Sequence, residues 1–223
     1  MRNGLVAIML MVVAMLATGC TEKELFFNDW VDLGLPSGLL WATRNVGANS
    51  PEDCGNYYAW GETTPKRVYD WSTYRYCNGD YDQLTKYCNN PNFGYKGFTD
   101  SLTFLQPGED AATANYGGRT PTKEEWEELI RYTTSQWTTL NGVYGRRFTA
   151  SNGNSIFLPA AGDRWNDFLF VASSRGYYWS SSLHSDYPDN AWGFGFQSDS
   201  QNVGYNCRDY GFNVRAVRTI FLQ

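Results

Sequence analysis

One segment of this 223-residue chain has the pattern of an amphipathic helix, and the chain after it is divided into short strand-like runs. Thr122 and Glu125 have the spacing of a capping box, in which each side chain accepts from the other residue's backbone N–H. Apolar residues then follow at the spacing of one helix face: Trp126, Leu129 and Ile130. The sequence therefore predicts a helix that begins at Thr122, runs to about residue 132 and turns Trp126 towards the core.

Elsewhere, runs of apolar and aromatic residues alternate with clusters of Gly, Asn, Ser and Asp, a pattern typical of short strands and loops. Before the main helix, the sequence predicts a buried strand over residues 39–46, a short helix starting at Ser50 and a strand over residues 57–60. After it, strands are predicted over residues 155–159, 176–181, 190–196, 202–206 and 212–218. One main helix followed only by strands predicts an α+β fold with an antiparallel sheet.

Aromatic residues make up 17% of the chain, and nine of them are Trp. Tryptophan in an apolar strand or on the buried face of a helix is usually a packing residue. Four are therefore predicted in the core: Trp41, Trp60, Trp126 and Trp179. Residues 63–108 are polar, aromatic and irregular instead, and they predict an excursion from the core.

The first twenty residues have the pattern of a secretion signal. Arg2 gives a short positive region, residues 5–15 are apolar, and small residues precede Cys20. The apolar run is shorter than the about 20 residues that a membrane-spanning helix needs. The segment resembles the lipobox of bacterial lipoproteins, which implies cleavage before Cys20 and acylation of its sulfur and of the new amino terminus. An ordinary secretion signal with a chance cysteine and an uncleaved anchor are the alternatives.

The domain organisation follows from that resemblance. Residues 1–19 are the predicted lipoprotein signal peptide, residues 20–29 a charged tether, and residues 30–223 the predicted globular domain. Several acyl chains hold a protein at a membrane more firmly than a single chain does. We therefore expect a lipid-anchored protein at the outer membrane or the cell surface.

Four further cysteines remain in the exported part of the chain, where disulfides form. Cys77 and Cys88 flank a short polar loop, so the sequence favours a disulfide between them, and Cys54 with Cys207 would complete the set. Four cysteines allow three connectivities, and four free thiols remain an alternative.

Charge and residue types limit the possible functions. A formal charge of −5 and a pI near 4.9 argue against a general nucleic-acid binder. His184 is the single histidine, which leaves little material for a histidine metal site or a catalytic triad. The pairs Asp80/Asp82 and Asp163/Asp167 have oxygen ligands for Ca²⁺, but solvated loop acids are the favoured interpretation. No metal and no cofactor is predicted.

Several motifs in order are familiar from one family. They are VDLGLPSGLLWATRNVGA, PEDCGNYYAWGET, GGRTPTKEEWEEL, NSIFLPAAG, GYYWSSS and NVRAVR. Together, over about residues 30–218, they resemble secreted lipoproteins of Gram-negative gut anaerobes and the formylglycine-generating-enzyme-like branch of the C-type lectin fold. The resemblance implies a C-type-lectin-like α+β domain whose C-terminal strands and loops present a variable ligand-binding face.

The enzymes of that branch use cysteine chemistry with copper. This chain has only Cys207 in its last third, without a nearby partner cysteine in sequence, and the calcium motifs of lectins (Glu-Pro-Asn or Gln-Pro-Asp) are absent. The sequence therefore favours a non-enzymatic binding protein over a formylglycine-generating-enzyme-like enzyme.

The C-terminal third has an unusual composition. No Lys follows Lys123 and no Glu follows Glu128. Residues 183–213 consist mainly of residue types whose codons end in a pyrimidine, and in this they resemble targets of diversity-generating retroelements. Strand-and-turn composition is the alternative explanation. Under either explanation the composition suits a binding face, because Tyr supplies contact area while Ser, Gly and Asn adapt to a partner.

We therefore predict that the chain recognises a surface protein or glycan through this segment. Ten residues are the predicted ligand-binding set: His184, Asp186, Tyr187, Phe194, Tyr205, Asn206, Arg208, Asp209, Tyr210 and Asn213. The alternative is a structural subunit of a surface assembly, which should expose an unpaired strand edge to another chain.

Overall fold

The structure, a computed structural model, describes residues 29–219. The predicted signal peptide, the Cys20 lipidation site and nearly all of the tether lie outside the described residues. Asp29, the last tether residue, forms an ion pair with Arg44. Among residues 29–219, no helix has the length and apolar character that crossing a bilayer requires.

The fold consists mostly of antiparallel sheet with few helices, which makes it α+β or mainly β. The strands are β1 (Trp30–Asp32), β2 (Leu39–Asn45), β3 (Thr133–Leu140), β4 (Val143–Ala150), β5 (Ser155–Pro159), β6 (Asp163–Trp165), β7 (Phe168–Phe170), β8 (Gly176–Leu183), β9 (Asn190–Phe196), β10 (Gln201–Cys207) and β11 (Arg215–Thr219). The helices are α1 (Ala111–Asn115), α2 (Lys123–Tyr132) and two short 3₁₀ turns, Tyr95–Gly97 and Pro107–Glu109.

The strands form three three-stranded sheets and one two-stranded ribbon, all with antiparallel pairing. The strand orders are β1-β2-β11, β10-β9-β8, β3-β4-β5 and β6-β7. The first sheet joins the two ends of the described chain, because β2 lies between the first and the last strand. The second sheet contains most of the predicted ligand-binding segment.

The predicted main helix is confirmed. The Thr122 hydroxyl accepts from the Glu125 N–H, and the Glu125 carboxylate accepts from the Thr122 N–H, which completes the capping box. Trp126 is fully buried, its ring lies 5.0 Å from those of Trp41 and Phe194, and its indole N–H donates to the Trp179 carbonyl at 3.2 Å. The helix therefore packs where the first and second sheets meet.

The strands after the main helix are mostly as predicted. Those over residues 155–159 and 190–196 match, and the others start or end within a few residues of their predicted bounds. The hairpin of β3 and β4 was missed, although its Asn141-Gly142 turn, with φ of 48° and 85°, is a strong hairpin signal.

Two of the secondary-structure elements predicted before the main helix are wrong. Residues 50–53 form a turn, in which the Asp53 N–H donates to the Ser50 carbonyl at 3.2 Å, because Gly55 follows at φ 67° and reverses the chain. The predicted strand over residues 57–60 is reduced to one isolated bridge, between Tyr58 and Phe212.

The four tryptophans predicted in the core are all buried, as expected: Trp41, Trp60, Trp126 and Trp179. Residues 63–108 are irregular as predicted but are not an excursion from the core. Tyr69 and Tyr74 are buried there, and their hydroxyls donate to the carbonyls of Tyr57 and Trp60 at 2.6 and 2.7 Å. These hydroxyls bind the segment to the chain at residues 57–60, and backbone bonds between residues 103–105 and β8 bind it to the second sheet.

The favoured disulfide is not formed, because all four cysteines in the described part of the chain are free thiols. Cys77 Sγ lies 3.0 Å from the Trp71 carbonyl oxygen, and Cys88 Sγ lies 3.1 Å from that of Asn90. Backbone bonds close the loop instead: the Asn78 N–H donates to the Gln83 carbonyl at 2.8 Å, and the Thr85 N–H donates to the Tyr76 carbonyl at 2.9 Å.

Candidate functional site

Four rings form one cluster at the end of the second sheet. They are His184, Tyr187, Trp192 and Tyr205, named here the aromatic face. The loop after β8 supplies the first two, and β9 and β10 supply the others as a directly opposed cross-strand pair. The imidazole centroid lies 4.9 Å from the indole and 4.3 Å from the Tyr205 ring.

The two tyrosines of the aromatic face are half exposed, whereas its histidine is buried. Tyr187 is 51% exposed and Tyr205 49%, whereas His184 is only 7% exposed. The Tyr187 N–H donates to His184 Nδ1 at 3.1 Å, and the Lys123 ammonium of α2 lies 4.0 Å from the Trp192 ring centroid. Buried contacts therefore hold two half-exposed phenol rings in place.

Burial keeps the His184 imidazole neutral near pH 7. Burial lowers the pKa of His184 below its usual 6.5, and the nearby carboxylates of Asp186 and Asp189 oppose that shift only in part. A neutral imidazole can accept a hydrogen bond at Nδ1, whereas a protonated one cannot. The contact with the Tyr187 backbone thus depends on the neutral state.

The structure brings three of the ten predicted residues together: His184, Tyr187 and Tyr205. Asp186 is exposed in the same loop. Asn206 is half-buried, and because it follows Tyr205 in β10 its side chain points to the opposite side of the sheet.

Four predicted ligand-binding residues are buried and are corrected to structural positions: Phe194, Arg208, Asp209 and Asn213. Phe194 stacks on Trp126 in the core. The amide of Asn213 donates to the carbonyls of Cys54 and Asn56, at 2.8 and 3.0 Å.

Arg208 is fully buried, with no exposed surface. Its guanidinium donates to the Tyr74 hydroxyl at 2.9 Å and to the carbonyls of Tyr87 and Pro188 at 2.9 and 2.7 Å. It connects the irregular segment to the loop before β9, so its role is to join parts of the fold and not to contact a ligand.

Asp209 is buried with one carboxylate oxygen that has no hydrogen-bond partner among the described residues. Burial raises its pKa to about 7; the charges of Asp70 and Asp189 add to the shift, and Lys66 opposes it. This side chain is a source of pH-dependent stability and does not reach the surface.

A second exposed surface was not predicted. The ribbon of β6 and β7, here the apolar hairpin, exposes Trp165, Phe168, Leu169 and Phe170, with Val171 directly after it. The predicted site residue Tyr210 is half-buried, and its ring lies 6.2 Å from that of Trp165. Four consecutive apolar residues, 168–171, directly after an Asn-Asp pair are the sequence signal that could have indicated it.

No group of three or more His, Cys, Asp or Glu side chains within residues 29–219 is placed to hold a metal ion. The carboxylates of Asp80 and Asp82 accept hydrogen bonds from the groups of adjacent residues. Burial raises the pKa of Asp163 to about 6. Asp163 is therefore part-buried in β6 and is not a solvated loop acid.

The thiols are poor nucleophiles. Burial raises the pKa of Cys54, Cys77 and Cys88, and it raises that of Cys207 to about 11 with the charges of Asp209 and Asp189 adding to the shift. Since the thiolate is the reactive form, these cysteines stay protonated and unreactive near neutral pH.

Comparison of the chain with protein families, with curated proteins and with solved structures finds no match.

Proposed function

We propose that this chain is a membrane-anchored, non-enzymatic recognition protein with a C-type-lectin-like domain, and that it binds a surface protein or glycan through the aromatic face. One observation carries the proposal: two half-exposed tyrosine rings are fixed by a buried histidine and an indole.

The chemistry of the aromatic face suits recognition. A tyrosine ring offers large contact area at low cost in conformational entropy, and its hydroxyl remains available for hydrogen bonds. The rings of Tyr187 and Tyr205 lie 6.2 Å apart at 26°, so they form a nearly parallel pair. Such a pair can stack on the C–H face of a sugar or pack against a partner side chain, and the exposed Asp186 adds a polar acceptor beside it.

The thiols and the histidine favour binding over catalysis. Each cysteine has a raised pKa, and His184 uses Nδ1 to hold the Tyr187 backbone. Acid–base or thiolate chemistry would need groups that are ionisable near neutral pH and accessible to a substrate. Neither residue type meets both needs here.

The proposed anchor places the domain close to a bilayer. Eight residues lie between Cys20 and Asp29, and an extended chain of that length spans at most about 30 Å. Lipidation of Cys20 would hold the domain at the outer membrane or cell surface. There it faces surface proteins and glycans, and no nucleic acid is expected as a partner.

The position of the aromatic face also fits diversification by a retroelement. Three of its residues, His184, Tyr187 and Tyr205, have codon types that such mutagenesis can produce, and all four lie within residues 183–213. Trp192 is not among those products and would be a fixed scaffold position, which agrees with its half-buried place against His184.

The test is a binding screen of the full-length protein in detergent on arrays of bacterial and host glycans and surface proteins. The double variant Tyr187→Ala/Tyr205→Ala should lose the signals that the wild type gives. Tyr81→Ala is the matched control, because Tyr81 is 48% exposed and lies in the irregular segment. Equal binding by the double variant and the wild type would contradict the proposal.

A further inference from the structure

Strand β3 has one edge without a partner strand. It is the outer strand of the sheet β3-β4-β5, and it pairs with β4 along all eight of its residues without a register shift. Among the described residues, no strand pairs with its other edge.

The hairpin geometry determines which backbone groups point outwards. Even-numbered residues of β4 bond to the β5 side, as in the bond from the Ala160 N–H to the Tyr144 carbonyl. The ladder between β3 and β4 therefore uses even-numbered residues of β3. The N–H and C=O groups of Ser135, Trp137 and Thr139 point away from β4, and no backbone bond within residues 29–219 reaches them.

This edge lacks three of the features that usually prevent strand addition: charge, Pro and a bulge. Natural edge strands carry Lys or other charges, Pro, a bulge or a covering segment. The sequence of β3, TTSQWTTL, contains neither charge nor Pro, and its pairing has no bulge. A long, regular and uncharged edge is a template for a further strand.

The sequence of β3 fits a second copy of itself. Its threonines are placed symmetrically about Gln136, because Thr133 mirrors Thr139 and Thr134 mirrors Thr138, whereas the two residues beside Gln136 differ. Two copies of β3 could pair antiparallel about a two-fold axis at Gln136. Residues whose backbone groups point away from β4 would then lie opposite one another, with Ser135 facing Trp137 of the second copy. Threonine pairs then lie across the axis, and no like charges oppose each other along the strand.

We propose that the chain forms a two-fold dimer through β3, in which two three-stranded sheets join into one six-stranded sheet. The dimer would present two aromatic faces, and two linked sites raise avidity for a repetitive surface without any new contact. This inference does not depend on the identity of the ligand, because the self-association is measured without one.

A cysteine scan of the full-length protein in detergent tests the register. Gln136→Cys places two thiols directly opposite each other at a non-hydrogen-bonded position, where Cβ atoms lie about 4.5–5.5 Å apart, close to what a disulfide needs. Thr134→Cys is the matched control, because its opposite residue is Thr138 of the second copy. Both variants keep the native thiols. We expect the covalent dimer to form at least about tenfold faster from Gln136→Cys than from Thr134→Cys. The double variant Thr134→Cys/Thr138→Cys should regain the fast rate, because its two cysteines lie opposite each other across the axis.

The mass of the assembly gives an independent measurement. By sedimentation at micromolar concentration, wild-type protein should be a dimer. Gln136→Lys should be a folded monomer, because it sets two ammonium groups opposite each other, and Gln136→Ser should remain a dimer. A monomeric wild type, a dimer unaffected by Gln136→Lys, or equal crosslinking of the two single cysteine variants would overturn the proposal. Binding of a foreign strand to a monomeric wild type would overturn it as well.

Discussion

His184 is stacked on Trp192, with ring centroids 4.9 Å apart and planes inclined at 26°. This contact connects the loop after β8 to β9, the middle strand of the second sheet. Because the Tyr187 N–H donates to the same imidazole, the position of one half-exposed tyrosine depends on the protonation state of a buried group.

The stability of the protein should therefore depend on His184 at mildly acidic pH. The folded pKa lies below the usual 6.5 because of burial. Above pH 6.5 the residue is neutral in both states, and as pH falls further the unfolded chain takes up the proton first, so stability falls until the folded pKa is reached. The melting temperature of His184→Phe, which keeps a ring, should lack this decline. Parallel curves for wild type and variant between pH 8 and 5 would show that the histidine is not buried in this way.

Asp209 should have the opposite dependence. Its pKa is about 7 in the folded state and 3.8 for an unperturbed aspartate. The free energy of unfolding should therefore fall as pH rises from 3.8 to 7, and the whole loss should be present above pH 7. Asp209→Asn should stabilise the protein at pH 8, by up to about 4 kcal/mol, and the gain should disappear below pH 4. Urea unfolding at the two pH values measures it. A variant less stable than wild type at pH 8 would mean that the charged carboxylate has a partner.

Trp126 should contribute more stability than its helix cap. Trp126→Ala removes a fully buried indole and its bond to the Trp179 carbonyl, and should cost about 3–5 kcal/mol. Thr122→Ala removes one capping bond and should cost about 1 kcal/mol. Urea unfolding of the two variants gives the comparison. Small and equal losses would place Trp126 outside the core.

Arg208 should be essential for stability, whereas the sequence predicted that it contacts a ligand at the surface. Arg208→Ala leaves buried acceptors at Tyr87 and Pro188 without their donor and should cost about 3 kcal/mol or more. Arg175→Ala is the control, because Arg175 is exposed, and it should change the free energy of unfolding by less than about 0.5 kcal/mol. An unchanged melting temperature for Arg208→Ala would restore the surface interpretation.

Local signals in the sequence predicted what is local in the fold. Thr122, Glu125 and Trp126 lie within five residues, so capping and periodicity indicate the helix directly. The hairpin of β3 and β4 also carries a local signal, the Asn141-Gly142 turn, but its threonine-rich strand has little apolar alternation. That strand was missed for this reason.

The corrected site residues depend on contacts between distant parts of the chain. Tyr205 and Arg208 are three residues apart and have similar polar surroundings in sequence, yet one is half exposed and the other fully buried. The difference arises because β10 ends at Cys207 and the chain then turns inwards to Tyr74, 134 residues earlier. Composition can indicate a binding segment, but it cannot show which of its side chains turn inwards.

The most direct test of the recognition site is oxidative footprinting of the full-length protein with and without a ligand found on the arrays. Hydroxyl radicals modify exposed tyrosines, so three half-exposed rings, Tyr187, Tyr205 and Tyr81, report on three positions in one experiment. We predict that bound ligand strongly protects Tyr187 and Tyr205 and leaves Tyr81 unchanged. Unchanged modification of Tyr187 and Tyr205, with protection instead at Trp165 and Phe168 of the apolar hairpin, would contradict the account.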